Sequence, residues 1–245
     1  MLTFGTGGFP IILFPTSMGM HYENRDFKLI DAIGWFIDNG IIKVYCPDGI
    51  DKHSWYNEEA QPEYRVKNHI LYDRFLAEEL YPRMKAETGF DRIGVAGCSF
   101  GGYHALNFAF RHPDITAALF SMAAKFDIKG QMDGFYNDDV YFNNPTDYVT
   151  DMNDPWLWKM QTFLGSAEFD MCLESNYQMA HMLGLKHIPH TLEVAAGEKH
   201  DWPCWRNQFP KFLSWLDIEK TKEGLHKEMQ EEVKADESAN NIQND

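Results

Sequence analysis

One serine stands between glycines where the sequence changes from a strand pattern to a helix pattern, in the segment RIGVAGCSFGGYHALNFAF at residues 92–110. The apolar run at 93–96 predicts a buried strand, and apolar side chains recur at helical spacing after Gly102. Residues 97–101, Gly-Cys-Ser-Phe-Gly, fit the pattern G-x-S-x-G. Such a turn needs small residues on both sides of its serine, because the strand and helix backbones pass close together. The segment therefore predicts a strained turn, a nucleophile elbow, that lifts Ser99 out of the sheet.

Apolar, β-branched runs alternate with helical patterns along the rest of the chain. Including the run before Ser99, they lie at 11–14, 41–45, 93–96, 118–122, 160–165 and 190–196. Further helical patterns lie at 26–40, 62–89, 175–188 and 205–216. Strands that alternate with helices indicate a mostly parallel central sheet with helices on both faces. The sequence thus predicts an α/β fold.

The 245 residues suit one large domain, which we place at residues 1–216. Within it, residues 125–158 are aromatic, acidic and rich in Asn, Asp and Pro, and they follow the strand after the serine turn. A stretch of this length without the alternating pattern is typical of a functional loop, so we predict a cap-like insertion. Residues 217–245 are charged and lack aromatic side chains, which predicts a frayed or disordered tail.

Charge and hydropathy limit the partners and the compartment. The formal net charge of −15 repels nucleic acid and anionic membranes, so we expect neither as a partner. No apolar run approaches the ~20 residues of a membrane span, and the N-terminus lacks the basic start of a signal peptide. We therefore expect a cytoplasmic location. The four cysteines match no zinc-binding or CxxC spacing, and free thiols are favoured over a disulfide between Cys172 and Cys204.

A serine hydroxyl needs a base, and the base needs a carboxylate that orients it. In a sheet of this kind the acid follows a strand beyond the serine turn and the histidine follows the last strand. His200 lies directly after the last apolar run and before the last helical pattern, so it is the predicted base. Two carboxylates, Glu168 and Asp170, follow the run at 160–165. We favour Glu168, because it stands three residues beyond the glycine that ends that run, and Asp170 is the alternative.

Backbone N–H groups must stabilise the oxyanion that forms when the serine attacks. Phe100, which follows Ser99 at the start of the helix, is the first predicted donor. In the loop after the first apolar run, FPTSMGMHYENRD, we assign the N–H of Met18 as the second donor. Trp55 and Tyr56, in the loop after the second run, are predicted to line the substrate pocket, because loops at the carboxyl ends of parallel strands surround such sites.

These motifs resemble the esterase-like, or D-type esterase, family of the α/β-hydrolases. The resemblance rests on GCSFGGYHALNFAFRHP, FPTSMG, VYFNNPTDY and HDWPCWR, and it covers roughly residues 2 to 216. It implies an α/β-hydrolase fold and a carboxylesterase with Ser99 as nucleophile, His200 as base, an acid within GSAEFD, and an oxyanion hole from Phe100 and Met18. Members of that family usually carry more strand before the region that matches FPTSMG. The first sheet edge is therefore expected to be short or absent and open to pairing with another subunit.

The residues together predict a serine carboxylic-ester hydrolase that forms an acyl-enzyme on a small soluble ester. Two alternatives stay open: an acyltransferase that uses the same three groups, and a non-catalytic binding protein that keeps the fold. No phosphate-binding glycine loop and no HExxH pattern occurs, so we predict no cofactor and no metal. The expected partners are a small ester and, through the sheet edge, a second copy of the chain.

Overall fold

A seven-stranded sheet forms the centre of the computed structural model, which describes residues 1–222. Its strands are β1 (Leu2–Phe4), β2 (Phe9–Phe14), β3 (Ile42–Cys46), β4 (Ile93–Cys98), β5 (Thr116–Met122), β6 (Gln161–Phe169) and β7 (His190–Lys199). Their order across the sheet is β1-β3-β2-β4-β5-β6-β7. β1 pairs antiparallel with β3, and the other neighbouring strands pair in parallel. The predicted α/β architecture is confirmed, with the carboxyl ends of the six parallel strands at one edge.

Helices surround the sheet. They are α1 (Glu23–Asp26), α2 (Leu29–Ala32), α3 (Gly34–Asp38), α4 (Pro62–Phe75), α5 (Tyr81–Thr88), α6 (Phe100–Arg111), α7 (Asp138–Tyr141), α8 (Pro145–Tyr148), α9 (Leu173–Leu185), α10 (Trp202–Trp215) and α11 (Ile218–Lys222). A π-helical turn at Leu76–Leu80 joins α4 to α5. The helical pattern at 26–40 forms two short helices, α2 and α3, rather than one, and α1 ends at its first residue.

Side chains alternate between the two faces of the sheet, as the period of a strand requires. On β2, Ile12 and Phe14 pack with α6 and α9 in one core cluster. Ile11 and Leu13 pack with α2 and α10 in a second cluster on the opposite face. Because both faces are covered, the inner strands read as continuous apolar runs, which is why they were visible in the sequence.

The predicted insertion at 125–158 contains α7, α8 and three 3₁₀ turns. Ile128 and Met132 from this segment pack on Trp55 and Phe100 in a third apolar cluster. The segment therefore lies against the loops at the carboxyl edge of the sheet.

Two strands are longer than the sequence pattern indicated. β6 continues to Phe169 and β7 to Lys199, beyond the predicted ends at 165 and 196. The predicted tail begins at 217, and its first residues form α11, whereas 223–245 lie outside the described residues. None of the helices within residues 1–222 is long and apolar enough to cross a membrane.

Candidate active site

Ser99 lies at the tight turn between β4 and α6. Its backbone has φ 55° and ψ −124°, a conformation that residues with a side chain rarely adopt. Strain of this kind is found mainly at functional sites, where the surrounding structure holds the residue in place. The Ser99 N–H donates to the carbonyl of Met122 over 2.8 Å, which ties the turn to the end of β5. The hydroxyl is thereby held at the carboxyl edge of the sheet.

The glycines around this turn leave no space for a side chain. A Cβ on Gly97 would overlap the carbonyl group of Gly101, and a Cβ on Gly101 would overlap the carbonyl oxygen of Pro15. A Cβ on Gly102 would lie 2.8 Å from the hydroxyl of Ser121. The backbones of β4, α6 and the loop after β2 thus pass as close together as the motif requires.

Three side chains from three different strand ends form a chain of hydrogen bonds. The Ser99 hydroxyl lies 2.9 Å from Nε2 of His200, and Nδ1 of His200 lies 2.9 Å from Oδ1 of Asp170. The Asp170 side chain is 1% exposed, whereas that of His200 is 16% exposed. A buried carboxylate therefore orients a solvent-accessible imidazole, which in turn contacts a hydroxyl. This arrangement can remove the proton from a serine as it attacks.

The structure places Asp170, rather than Glu168, against His200, so the preferred acid of the sequence analysis must be corrected. Because β6 extends to Phe169, Glu168 still belongs to the strand and Asp170 is the first residue beyond it. The exposed Glu168 carboxylate instead accepts a hydrogen bond of 2.8 Å from the N–H of Gly197 in β7. Because the strand is longer than predicted, the loop after it begins at Asp170 and not at Glu168.

The environment of His200 alters its affinity for a proton. Burial alone would lower the pKa of the imidazole. The hydrogen bond to Asp170, the Cys172 thiol beside the ring and the charges of both groups outweigh burial and raise the pKa of His200 to about 9. Below that pH the imidazole is mostly protonated, and only the neutral form can accept a proton from Ser99.

The N–H of Phe100 is available as an oxyanion donor. Phe100 is the first residue of α6, and the N–H groups of a first helical turn have no partner within the helix. Within residues 1–222 no acceptor bonds to this N–H, whereas the N–H groups of Gly102 and Tyr103 donate to the Ser99 carbonyl over 2.9 and 3.4 Å. The positive end of the α6 dipole adds to the attraction for a developing negative charge.

The second predicted donor needs a correction, because the N–H of Met18 is already occupied. It donates to Oδ2 of Asp51 over 2.9 Å, and Met18 has a φ of 60°. Oδ1 of the buried Asp51 lies 2.7 Å from Nε2 of His104 in α6. Asp51 therefore ties the loop after β2 to the helix that follows Ser99. In that loop, no acceptor among the described residues bonds to the N–H of Ser17.

Sequence reasoning missed Asp51 and His104. His104 lies within a helical pattern, and Asp51 lies in the same loop as Trp55 and Tyr56. Its position after β3, at the carboxyl edge of the sheet, was the signal that could have found it.

The two predicted pocket aromatics have different positions. Trp55 is 1% exposed and packs on His69 and Tyr103, so it belongs to the core and does not line a pocket. Tyr56 is partly exposed, and its ring meets that of Phe100 edge-on at 5.1 Å between centroids. The Tyr56 hydroxyl lies 3.3 Å from the hydroxyl of Ser17. Tyr56 therefore stands beside the turn that carries Ser99, and its role in lining the substrate pocket stays a prediction.

All four cysteines are free thiols. Cys46, Cys98 and Cys204 are buried, and Cys172 is partly accessible. The disulfide between Cys172 and Cys204 that the sequence left open is not formed.

The fold and this site define an esterase with an α/β-hydrolase fold. The chain belongs to the Esterase family, since the family model described as "Putative esterase" matches residues 36–216. The resemblance drawn from the motifs is thereby confirmed. A search of the curated proteins found no match.

Solved structures share this fold at low sequence identity. A ferulic acid esterase aligns with a TM-score of 0.66 at 20% identity, and the alignment covers 85% of this chain and 84% of the esterase chain. An S-formylglutathione hydrolase from Agrobacterium tumefaciens aligns with a TM-score of 0.66 at 15% identity, over 85% and 83% of the two chains. A fluorophosphonate-binding serine hydrolase of Staphylococcus aureus aligns with a TM-score of 0.62 at 17% identity, over 86% and 84%.

Proposed function

We propose that the protein is a serine carboxylic-ester hydrolase that works through an acyl-enzyme on a small soluble ester. One observation carries the proposal: a hydroxyl, an imidazole and a buried carboxylate are linked by two hydrogen bonds of 2.9 Å at the carboxyl edge of the sheet. The strained backbone of Ser99 supports it, because a purely structural serine has no need of that conformation.

In the first half of the reaction, Oγ of Ser99 attacks the ester carbonyl carbon while Nε2 of His200 accepts the hydroxyl proton. Asp170 accepts a hydrogen bond from Nδ1–H of His200, holds the ring in the required tautomer and stabilises its positive charge. The carbonyl oxygen becomes an oxyanion. His200 then returns the proton to the departing alcohol, the carbon–oxygen bond to that alcohol breaks, and an acyl-Ser99 ester is left.

The oxyanion would lie at the N-terminus of α6 and accept a hydrogen bond from the N–H of Phe100. The N–H of Ser17 is a better candidate for the second donor than that of Met18, because Met18 donates to Asp51. Removing one donor of such a pair costs about 3–4 kcal/mol of transition-state stabilisation in serine hydrolases.

In the second half, water attacks the acyl group with His200 again as the base, and the carboxylic acid leaves. An alcohol that bound in the place of water would give a new ester, which is the acyltransferase reaction. The three side chains can activate water or an alcohol in the same way, so the test measures hydrolysis and transfer to an added alcohol.

The side chains at the loops around the site favour an uncharged, apolar acyl group. Met18 lies in the loop after β2, Phe169 ends β6 and Met171 follows Asp170, and each is exposed although apolar. Exposed apolar side chains next to a binding site favour apolar ligands. The net charge of −15 disfavours anionic esters.

The test is hydrolysis of p-nitrophenyl acetate and butyrate by the wild type, Ser99→Ala and His200→Ala. We expect each variant to lose at least about 10⁴-fold in kcat/KM. Ser214→Ala, at an exposed serine in α10, is the matched control and should keep wild-type activity. A fluorophosphonate probe should add a phosphonyl group to Ser99 of the wild type and leave Ser99→Ala unlabelled, as read by peptide mass spectrometry.

An inactive wild type that also resists the probe would overturn the proposal and make a binding role on this fold the better reading. Equal hydrolysis by Ser99→Ala would do the same. If added alcohols divert most of the acyl group into new esters, the protein is an acyltransferase with the same nucleophile.

A further inference from the structure

A third donor atom stands beside the Asp170–His200 pair. One ligand atom each from Asp170, Cys172 and His200 lie within 4.8 Å of one another. Cys172 follows Asp170 by two residues, and its N–H donates to Oδ1 of Asp170 over 2.7 Å. This hydrogen bond turns the chain back so that the thiol lies beside the imidazole. Of the four cysteines, Cys172 alone is partly accessible.

The second carboxylate oxygen of Asp170 is an independent sign of an unfilled site. Oδ2 is buried and has no hydrogen-bond partner among residues 1–222, although Oδ1 accepts bonds from both His200 and Cys172. A buried, unpartnered carboxylate oxygen is costly unless something else neutralises it. A bound cation would do so.

The three donors form a ligand set of recognised chemistry. A thiolate sulfur, an imidazole nitrogen and a carboxylate oxygen are the groups that bind Zn²⁺, at roughly 2.3, 2.0 and 2.1 Å. Around a tetrahedral ion such ligands lie about 3.3–3.8 Å apart. The three ligand atoms lie within 4.8 Å of one another, so they need to approach one another by no more than about 1.5 Å to bind one ion. Hard cations such as Mg²⁺ avoid thiolates, so the set selects a thiophilic ion. The strongly negative chain attracts cations in general.

We propose that Asp170, Cys172 and His200 form an inhibitory site for a thiophilic divalent cation, with Zn²⁺ as the representative ion. On binding, zinc–sulfur, zinc–nitrogen and zinc–oxygen bonds form, and the protons of the thiol and the imidazolium pass to solvent. The ion takes the place of the proton on Nδ1, the ring nitrogen beside Asp170, so the remaining ring proton stays on Nε2 and His200 no longer accepts the proton of Ser99. The sequence predicted no metal because the donors come from two loops that are 28 residues or more apart in the chain. The inhibition rests on the proposed function, whereas the binding itself does not.

The binding test is titration of the metal-free protein with Zn²⁺ by calorimetry and with Co²⁺ by absorption spectroscopy. We expect one ion per chain and a near-ultraviolet sulfur-to-cobalt charge-transfer band. Cys172→Ser should remove that band and weaken zinc binding at least about tenfold, since even outer-shell changes at metal sites have effects of that size. Cys172→Ala is a second variant, because the hydroxyl of the serine in Cys172→Ser could itself bind the ion. Cys204→Ala, which removes a buried thiol outside the site, should bind zinc like the wild type. Ser99→Ala keeps all three donors and should also bind like the wild type.

The activity test measures the zinc concentration that halves p-nitrophenyl acetate hydrolysis. EDTA should restore the wild type, and Cys172→Ser should need at least about tenfold more zinc. Equal zinc affinity in wild type and Cys172→Ser, or tight binding without loss of hydrolysis, would overturn the proposal. A protein that shows the cobalt band but never hydrolyses an ester would refute the proposed function and leave the metal site standing.

Discussion

The turn that carries Ser99 and the loop that carries Asp170 supply two parts of one site, yet their sequences constrain them very differently. Around Ser99, three glycines stand where a Cβ would collide with backbone or with a buried hydroxyl. Around Asp170, the segment EFDMC offers two carboxylates within three residues, and either could have faced His200. Only one of them does.

The difference teaches where local pattern is sufficient and where it is not. Where one backbone must pass close to another, only glycine fits, because it has no Cβ. Such a position is therefore recognisable in the sequence. A carboxylate can reach an imidazole from several positions, and the length of the preceding strand decides which position is used. The following predictions test this contrast.

The largest expected effect is at the acid. Asp170→Asn should lower kcat/KM on p-nitrophenyl acetate about 10⁴-fold, because an amide no longer stabilises the imidazolium or the required tautomer. Glu168→Gln is the matched control two residues away. It should change kcat/KM less than about threefold, since the Glu168 side chain is exposed and, within the described part of the chain, bonds only to the Gly197 N–H. A larger loss in Glu168→Gln than in Asp170→Asn would reverse the assignment.

The next effect is on the turn itself. Gly97→Ala should destabilise the fold by about 2–4 kcal/mol, because its Cβ overlaps the carbonyl group of Gly101. Thermal unfolding should then show a Tm lower by roughly 5 °C or more. Gly34→Ala, where a Cβ meets nothing within 4 Å, should leave the Tm within about 2 °C. Equal Tm values for the two variants would contradict the close passage of strand and helix.

A smaller effect is expected at Asp51, which holds the loop after β2. Asp51→Ala leaves the Met18 N–H and the buried His104 without their partner, so kcat/KM should fall roughly 10- to 100-fold as the loop loses its position. Asp51→Asn still offers an oxygen to the Met18 N–H and should recover part of that loss. If the two variants fall equally while the Tm values match that of the wild type, Asp51 acts through its charge and not by positioning the loop.

The mildest test is the pH profile of the wild type, measured with a chelator present. Because the pKa of His200 is raised to about 9 and the neutral imidazole is the base, kcat/KM should rise with pH and level off above about pH 9. Cys172→Ser should move the inflection to lower pH, since the Cys172 thiol contributes to the raised pKa. The same raised pKa stabilises the fold fully below about pH 6.5, and this contribution is lost as the pH rises through about 9. An inflection at or below pH 6.5 would contradict this description of the His200 environment.

Much of the fold could be read from periodicity alone. The six runs at 11–14 to 190–196 became the parallel strands, because strands buried on both faces must be apolar throughout. The end of each strand was less certain. Phe169 pairs with Lys199 at this end of β6 and β7, and Glu168 lies at an irregularity of the pairing between Ala167 and Phe169. A half-exposed, charged end of a strand carries no apolar signal. That error moved the predicted acid by two residues.

Residues that lie far apart in the chain could not be joined by any local pattern. Asp51 and His104 meet through a hydrogen bond across 53 residues, and the motif that contains His104 does not indicate its partner. Trp55 was assigned to the pocket because it follows a strand, but the insertion packs over it and makes it part of the core.

The sequence by itself determined the turn at Ser99, the α/β class and the order in which serine, acid and histidine follow their strands. These follow from sterics and periodicity, which act over a few residues. The tertiary structure alone decided that Asp170 faces His200, that Met18 donates to Asp51, and that a thiol joins the acid and the base. Those contacts depend on strand length and on the relative placement of separate loops, which are set by packing across the whole sheet.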